Sequence, residues 1–336
     1  MNLRKGFVIL LCSLSITCFS CGNDDFFEEE IIYKNDSIIY TNDSVNPPNN
    51  GTPGDTTLTD TTRTDTTINS PNTKTDYYYI ETITKYMNQS SGGVSVQGAA
   101  CHGDYLFQFQ DKNAAVFIYN LKQKKFVKKI TLTPNKYNHC NQASFSDKYY
   151  STEDMFPLLY VSGSSSGTYN HVQVYRITGY EDNFEIKQIQ EIILPPSNKE
   201  TWVYWTCIIM DNDNHALYAY ANSNTRLIKF DIPDIYLDTV NLTDYDIKEI
   251  IDLDFIDHQQ GGIIRNNILY IIFGVPAWGD KVTLRIFNIY KKIEMAKLNL
   301  TDLNFKKEPE ALFFYNNDIY CATNNAGIYK ILLKNY

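Results

Sequence analysis

Ten polar side chains occur in five pairs, and each pair stands at the start of an apolar run that reads as a strand. The two members of a pair are always separated by one residue. Imidazole, carboxylate, amide and hydroxyl groups gathered together can bind a polar ligand or a cation, or transfer protons. The pairs are Ser95 and Gln97, His139 and Asn141, Tyr204 and Thr206, His258 and Gln260, and Glu308 and Glu310.

The segments that contain these pairs share one pattern, which indicates an internal repeat. In Ser95 to Phe107, His258 to Tyr270 and Glu308 to Tyr320, polar residues lead into a small residue, an apolar run, a turn rich in Asn, Asp or Gly, and a second apolar run. Repeats of about 40 to 60 residues are typical of propellers and solenoids. The predicted repeats are Val94–Leu132, His139–Leu194, Trp202–Phe255, His258–Leu300 and Glu308–Tyr336.

The last repeat supplies three strands, one fewer than a propeller blade needs. A strand-like run, Tyr77 to Met87, precedes the first repeat and belongs to none of them. If this run completes the last blade, the ring closes and the final strand edge gains a hydrogen-bonding partner. The sequence therefore predicts an all-β, five-bladed β-propeller over residues 77–336, closed by an N-terminal strand in the last blade.

Closure of the ring would gather the polar pairs at one mouth of the central channel. Side chains two residues apart in a strand point the same way, and the innermost strand of each blade lines the channel. Trp202, Trp205 and Trp278 lie in or near the rim loops, where flat aromatic rings suit a sugar. The expected ligand is a glycan or another small polar molecule. The predicted ligand-binding residues are Gln97, His139, Asn141, Tyr204, Thr206, His258, Gln260, Glu308 and Glu310.

An enzyme is the main alternative to a binding protein. Glu308 and Glu310 could divide acid and base roles, and His139 or His258 could act as a general base near neutral pH. The chain has no Gly-Xaa-Ser-Xaa-Gly elbow, His-Glu-Xaa-Xaa-His motif or phosphate loop. Binding is therefore preferred to a glycosidase, lyase or cyclase activity. A protein-interaction scaffold that uses the loops of the second repeat is a third alternative.

The same two histidines and two glutamates carry ligand atoms suited to zinc or another divalent cation. No pair among them has a recognised zinc spacing, and Asp211 to Asn214 lacks the Gly and Glu of a calcium loop. No metal site is therefore predicted, although a divalent cation in the channel is a candidate cofactor.

Four cysteines follow Cys21 without a Cys-Xaa-Xaa-Cys pair, and we expect them to be free and mostly buried.

The N-terminal residues have the layout of a secretion signal. Arg4 and Lys5 precede an apolar run from Phe7 to Ile16, which is too short to span a membrane, and small residues and Cys21 follow. This layout resembles a bacterial lipoprotein signal, which implies that residues 1–20 are removed and that Cys21 is lipidated. Cys18 and Phe19 depart from that motif's usual Leu and small residue, which weakens the match.

Acidic residues follow Cys21 closely, at Asp24, Asp25 and Glu28 to Glu30. They resemble the surface-export signal of Bacteroidota lipoproteins, although an ordinary solvated charge run would look the same. The resemblance implies an outer-membrane lipoprotein displayed on the cell surface, attached to the membrane through its lipid alone.

Residues 21–76 are rich in Thr, Asp, Asn and Pro and bury too little apolar surface to fold. They are expected to form a disordered tether that spans on the order of 40 Å. Asp followed by Ser or Thr and then by Thr or an apolar residue resembles the O-glycosylation motif of gut Bacteroidota, and a plain spacer is the alternative. This pattern occurs in the repeated Asp-Thr-Thr triplets from Asp55 onward, in Asp36-Ser37-Ile38 and in Asp43-Ser44-Val45. The residues to which that motif would attach sugars are Ser37, Ser44, Thr56, Thr61 and Thr66.

The net charge of -9 excludes nucleic acid as a partner, because phosphate backbones require clustered Lys and Arg. The remaining partners are a glycan or small ligand, the membrane through the lipid, and surface proteins.

The motifs His139-Xaa-Asn141, Gln260-Gly261-Gly262 and Glu308-Pro309-Glu310-Ala311 resemble inner strands of secreted bacterial five- and six-bladed propellers. That superfamily includes binding proteins and enzymes such as glutaminyl cyclases, so the resemblance implies a fold rather than a function.

Overall fold

Short apolar strands joined by tight turns form nearly all of the described protein. The computed structural model describes residues 77–89, 92–111, 115–132, 140–163, 170–181, 183–195, 205–221, 225–253 and 258–336. Helical structure in these ranges is limited to 3-10 turns such as Pro276–Trp278, and none of it is long or apolar enough to cross a bilayer. The predicted signal peptide, Cys21, the tether and its five proposed glycosylation sites lie outside the described residues.

The strands form five sheets, which we call blades 1 to 5. Blade 1 contains β2 (Val96–His102), β3 (Tyr105–Gln110), β4 (Ala115–Asn120) and β5 (Lys125–Thr131). Blade 2 contains β6 (Gln142–Phe145), β7 (Leu159–Gly163), β8 (His171–Thr178) and β9 (Glu185–Ile193). Blade 3 contains β10 (Trp205–Asp211), β11 (Ala216–Ala221), β12 (Arg226–Asp231) and β14 (Ile247–Asp252). Blade 4 contains β15 (Gln259–Arg265), β16 (Ile268–Phe273), β17 (Thr283–Asn288) and β18 (Ile293–Asn299).

Blade 5 is built from both ends of the described chain. It contains β19 (Pro309–Tyr315), β20 (Asp318–Thr323) and β21 (Ile328–Asn335), and β1 (Tyr78–Met87) is its outermost strand. β1 pairs antiparallel with β21 over its whole length, from Tyr78 opposite Asn335 to Met87 opposite Ile328. The inner strand of each blade, β2, β6, β10, β15 or β19, packs beside the inner strands of both neighbours. The predicted five-bladed propeller, closed by an N-terminal strand in the last blade, is confirmed.

The inner hairpins have the turn chemistry that their sequences predict. Asn266 and Asn267 between β15 and β16, and Asn316 and Asn317 between β19 and β20, all have positive φ values. Two-residue turns of this kind match the right-handed twist of the strands they join, and Asn tolerates the left-handed conformation. These turns fix the register of β15 against β16 and of β19 against β20. They thereby set which residues of the two inner strands lie beside the channel.

Side chains of the inner strands pack between blades. In β10, Ile208 and Met210 belong to an apolar cluster with the residues of blade 2, whereas Cys207 and Ile209 belong to a cluster with blade 4. The same alternation holds in β2, where Ala99 packs toward blade 5 and Ala100 toward blade 2. The sheets are therefore arranged radially, and the hydrophobic core is a set of layers between them.

One strand was not foreseen from the sequence. β13 (Thr239–Asn241) lies between β12 and β14 in the chain but pairs in parallel with β9, which gives blade 2 a fifth strand. A three-residue strand carries no measurable hydrophobic period, so the sequence gives no signal for it. Its position covers the outer edge of blade 2 and protects that edge from pairing with another chain.

The described cysteines are free, and Cys140, Cys207 and Cys321 are buried, as expected. Burial, with a smaller contribution from Asp111, raises the pKa of Cys140 from 9.0 to about 12. An acid whose pKa is raised by folding contributes stability below its unfolded pKa, and this contribution is lost as pH rises toward the folded value.

We expect the free energy of unfolding to fall between pH 8 and pH 10.5, by about 2 kcal/mol for Cys140 alone. Cys140→Ala removes this ionisation and should lessen the fall by that amount. Urea unfolding of both proteins at the two pH values measures the difference. Equal pH dependence in the two proteins would contradict the prediction.

Candidate binding sites at the two mouths of the central channel

The wall of the central channel is formed mainly by strand edges. Because the sheets are radial, the free edge of each inner strand turns toward the axis. The Gly262 carbonyl accepts from Gln142 Nε2 at 3.0 Å, and the Phe145 carbonyl accepts from Asn212 Nδ2 at 3.1 Å. The alternating side chains of a regular inner strand consequently pack against neighbouring blades, and not into the channel as the period-two argument assumed.

Four inner strands begin with a β-bulge, and these bulges fall at the second member of a predicted polar pair. An extra residue interrupts the ladder between Val96 and Ala99, Trp205 and Cys207, Gln259 and Gly261, and Pro309 and Ala311. A bulge redirects the side chain that it carries and is frequent beside functional sites. The bulged segments contain Gln97, Thr206, Gln260 and Glu310, and Asn141 lies directly before β6, the inner strand of blade 2.

The backbones that follow these bulges nearly touch around the axis. A Cβ on Gly98 would lie 2.6 Å from Gln142 Cα, and one on Gly261 would lie 2.7 Å from Ala311 Cα. The Gly98 amide also donates to the Cys140 carbonyl at 2.9 Å, joining β2 to β6. Gln97 and Asn141, like Gln260 and Glu310, therefore occupy neighbouring positions at the mouth where the inner strands begin, which we call the N-terminal mouth.

The predicted residues differ in how far they are exposed at this mouth. Glu310 and Gln97 are buried, Asn141, Gln260 and Glu308 are half-buried, and His258 is exposed. Glu308 Oε2 accepts from Asn324 Nδ2 at 3.0 Å, which fixes that carboxylate beside the end of β20. His139 and Tyr204 lie outside the described residues, and for Thr206 only the backbone is described.

Two glutamines that the sequence prediction missed belong to the same mouth. Gln108 and Gln110 are buried on β3, and Gln89 Nε2 donates both to Gln108 Oε1 at 2.7 Å and to the Thr323 carbonyl at 2.8 Å. Gln108 Nε2, Gln110 Oε1 and Ser95 Oγ are buried without a hydrogen-bond partner in the described part of the chain. Glutamine at alternate positions of an otherwise apolar strand was the signal available in the sequence.

His258 has a fixed orientation on the rim of this mouth. Its Nδ1 lies 2.8 Å from Asp280 Oδ2, which also accepts from the Val275 amide at 2.9 Å. The Trp278 ring stands edge-on to the imidazole with 5.0 Å between centroids, and 64% of Trp278 is exposed. Within the described ranges, no three His, Cys, Asp or Glu side chains are grouped so as to hold a metal ion.

The Gln142 side chain crosses the channel axis. This side chain is fully buried, and its Nε2 donates to the carbonyls of Gly262 and Ala143. Gln142 belongs to blade 2 and Gly262 to blade 4, so the amide reaches across the axis between blades that are not adjacent.

A cavity of about 520 Å³ lies beyond Gln142, at the C-terminal mouth where the inner strands end. All five inner strands contribute to its wall, and polar side chains from the following turns surround the opening. None of the predicted ligand-binding residues lines it. The side chains at this opening include His102, Asp147, Tyr149, Asn212, Asp213 and Arg265.

The sequence matches no family model and no curated protein. Its structure is similar to Myxococcus xanthus glutaminyl cyclase, with a TM-score of 0.49 and 10% identity over 77% of this chain and 97% of that one. The β-propeller domain of Myceliophteria thermophila Cps50 (Swd1) has a TM-score of 0.39 and 9% identity over 70% and 83% of the two chains. Kuenenia stuttgartiensis hydrazine synthase has a TM-score of 0.39 and 14% identity over 68% and 61%. At these identities the similarities say nothing about a ligand.

Proposed function

We propose that this propeller binds a glycan or another small polar ligand at its N-terminal mouth and is held at the cell surface by a lipid on Cys21. The observation that carries the proposal is the set of buried polar atoms on Ser95, Gln108 and Gln110 that have no partner in the described chain. Leaving such an atom unpaired costs about 1 to 3 kcal/mol, so native proteins rarely retain several together without a ligand or water to satisfy them.

The unpaired atoms have opposite hydrogen-bonding roles. Gln108 Nε2 can only donate and Gln110 Oε1 can only accept, whereas Ser95 Oγ can do either. A hydroxyl group is both donor and acceptor, so the hydroxyl groups of a ligand can pair with either kind of atom. This requirement favours a sugar over an apolar ligand or a simple ion.

The rim of the mouth adds a surface for the face of a sugar ring. Trp278 is largely exposed although it is a large aromatic side chain, and His258 beside it is held by Asp280. An exposed aromatic side chain with a polar neighbour provides apolar contact area and a hydrogen-bonding group together. The buried amides would then select hydroxyl positions, and the rim would contribute contact area.

Binding to a glycan array, followed by calorimetry on the glycans that bind, tests the proposal. Gln110→Leu removes one acceptor with little change of volume and should weaken binding about tenfold, because a hydroxyl of the ligand loses its partner. Glu310→Gln tests the adjacent buried carboxylate in the same way.

Gln173→Leu is the matched control for these variants. Gln173 is equally buried and has an unpaired Nε2, but it lies on β8, the third strand of blade 2, away from the channel. The proposal is wrong if no glycan binds, or if Gln110→Leu and Gln173→Leu bind the same glycan as tightly as the unchanged protein does. Loss of fatty-acid labelling in Cys21→Ser would separately test the anchor.

A catalytic function is the second candidate, and the hydrogen bond between His258 Nδ1 and Asp280 favours it. A carboxylate that fixes one imidazole nitrogen leaves the other directed at a substrate, as a general base requires. Glu308 and Glu310 would supply the acid in a glycosidase, lyase or cyclase reaction, and His139 is the alternative base. Turnover of a bound glycan that disappears in Glu310→Gln while binding persists would establish this function.

A further inference from the structure

The cavity at the C-terminal mouth has the dimensions of a small-molecule site. Its volume of about 520 Å³ falls within the roughly 300 to 1,000 Å³ of typical ligand pockets. It is concave because five strand ends converge there, and none of the residues assigned to the N-terminal mouth lines it. A ligand in this cavity would therefore contact none of the residues assigned to the N-terminal mouth.

Part of the cavity wall is unpaired strand backbone. β2, β15 and β19 each end in a two-residue turn that leads into the next strand of the same blade. The last residue of each inner strand that pairs with that next strand is His102 in β2, Arg265 in β15 and Tyr315 in β19. Backbone groups alternate in direction along a strand, so the residues just before these three turn their N–H and C=O groups toward the axis. The residues whose backbone groups face the channel are Ala99 and Cys101 in β2, Ile264 in β15, and Leu312 and Phe314 in β19.

The corresponding backbone groups in blades 2 and 3 are already occupied. Ser144 Oγ accepts from the Met210 amide at 3.1 Å, and Asn212 donates to the Phe145 carbonyl. For Ala99, Ile264 and Leu312, no such side-chain partner occurs among the residues that the structure describes. One side of the cavity thus offers N–H donors and C=O acceptors in alternation, an arrangement that ligand hydroxyls can satisfy.

Arg265 is the one lysine or arginine side chain among the described residues that line the cavity. Its guanidinium lies over the Phe314 ring, 3.7 Å from the centroid, and its Nη1 donates to Asn317 Oδ1 at 3.5 Å; none of the ion pairs in the described ranges includes it. The two carboxylates at the opening keep their negative charge but have partners other than Arg265. Asp147 Oδ2 contacts His215 Nδ1, and Asp213 Oδ2 accepts from the Asn266 amide at 2.6 Å.

A planar guanidinium held on an aromatic face is well suited to bidentate binding of a carboxylate. From these features we propose that the C-terminal mouth is a second binding site, for a small hydroxylated carboxylate such as a uronic acid. The hydroxyls bind the free edges of β2, β15 and β19, and the carboxylate binds Arg265.

Calorimetry of the purified protein with D-glucuronate and with neutral methyl glucoside tests this site. Glucuronate should bind at least about tenfold more tightly than the glucoside, because only glucuronate pairs with Arg265. Arg265→Gln should abolish that difference, and raising the salt concentration should weaken glucuronate binding to the unchanged protein.

Arg226→Gln is the matched control, because Arg226 pairs with Asp252 on blade 3 and does not line the cavity. Thermal melting shows whether each variant is folded. The proposal is overturned if glucuronate binds no better than the glucoside, or if Arg265→Gln binds it as the unchanged protein does. Gln110→Leu should leave glucuronate binding unchanged, so failure here is distinguishable from failure of the N-terminal site.

Discussion

Gly261→Ala is expected to destabilise the propeller by at least about 3 kcal/mol. A methyl group at this position would lie 2.7 Å from Ala311 Cα and 3.1 Å from the Leu312 amide nitrogen, both in the backbone of β19. Backbone atoms of a paired strand cannot rotate away as a side chain can. The only relief is to separate blades 4 and 5 at the axis, where packing is tightest.

Gly262→Ala is the matched comparison on the same strand. The atom nearest to its new methyl group would be Ile209 Cδ1 at 2.6 Å, the flexible end of a side chain. Repacking Ile209 should cost about 1 kcal/mol. Urea unfolding of the two variants measures the contrast. Similar losses in both would mean that blades 4 and 5 can separate at the axis without much cost.

The small residues around the axis show what the repeat pattern could and could not reveal. The sequence places a small residue after the polar pair in several repeats, as in Gly98, Gly261 and Ala311. Only the structure gives the reason, because five inner strands converge until one backbone contacts the next. The recurring small residue could therefore be recognised as part of a repeat. The close approach of the strand backbones, which requires that small residue, follows from the number of blades and is visible only in the structure.

Strand positions were the part of the fold that the sequence predicted best. Turns such as Asn266-Asn267 have a local signature, and apolar runs of about six residues lie on either side of them. β1 and β21 pair although they lie at opposite ends of the described chain. This pairing could be predicted because the last repeat has three strands and a propeller blade needs four. β13 escaped prediction because its parallel partner, β9, is distant in sequence and the strand is only three residues long.

The candidate sites were harder to predict, because they depend on direction as well as position. Glu310 and Gln97 were identified through their place in the repeat, but bulges, and not the strand period, set their orientation. Gln142 follows the predicted pair His139 and Asn141 without a distinguishing signal of its own, although its amide crosses the channel. The C-terminal cavity is walled partly by backbone, which has no residue signature, so the sequence could not have revealed it.

Deletion of β1 should have a larger effect than any single substitution. The strand supplies a complete antiparallel partner for β21, and its Tyr78, Ile80 and Ile83 pack against the apolar cluster between blades 4 and 5. A chain that starts at residue 89 would expose the β21 edge and uncover that cluster. We expect it to melt more than about 10 °C below a chain that starts at residue 77, or to aggregate through the free edge.

A circular permutant separates loss of ring closure from loss of chain length. Tyr336 and Tyr77 are adjacent, since the Tyr336 amide donates to the Tyr77 carbonyl at 3.2 Å, so a short turn could join β21 directly to β1. In that permutant β1 follows β21 as an ordinary hairpin, and the chain begins at residue 89. Because the permutant restores the same ladder, its melting temperature should return to within a few degrees of that of the chain from residue 77. A permutant as unstable as the deletion would show that the order of strands along the chain, and not the β1–β21 ladder, holds the ring closed.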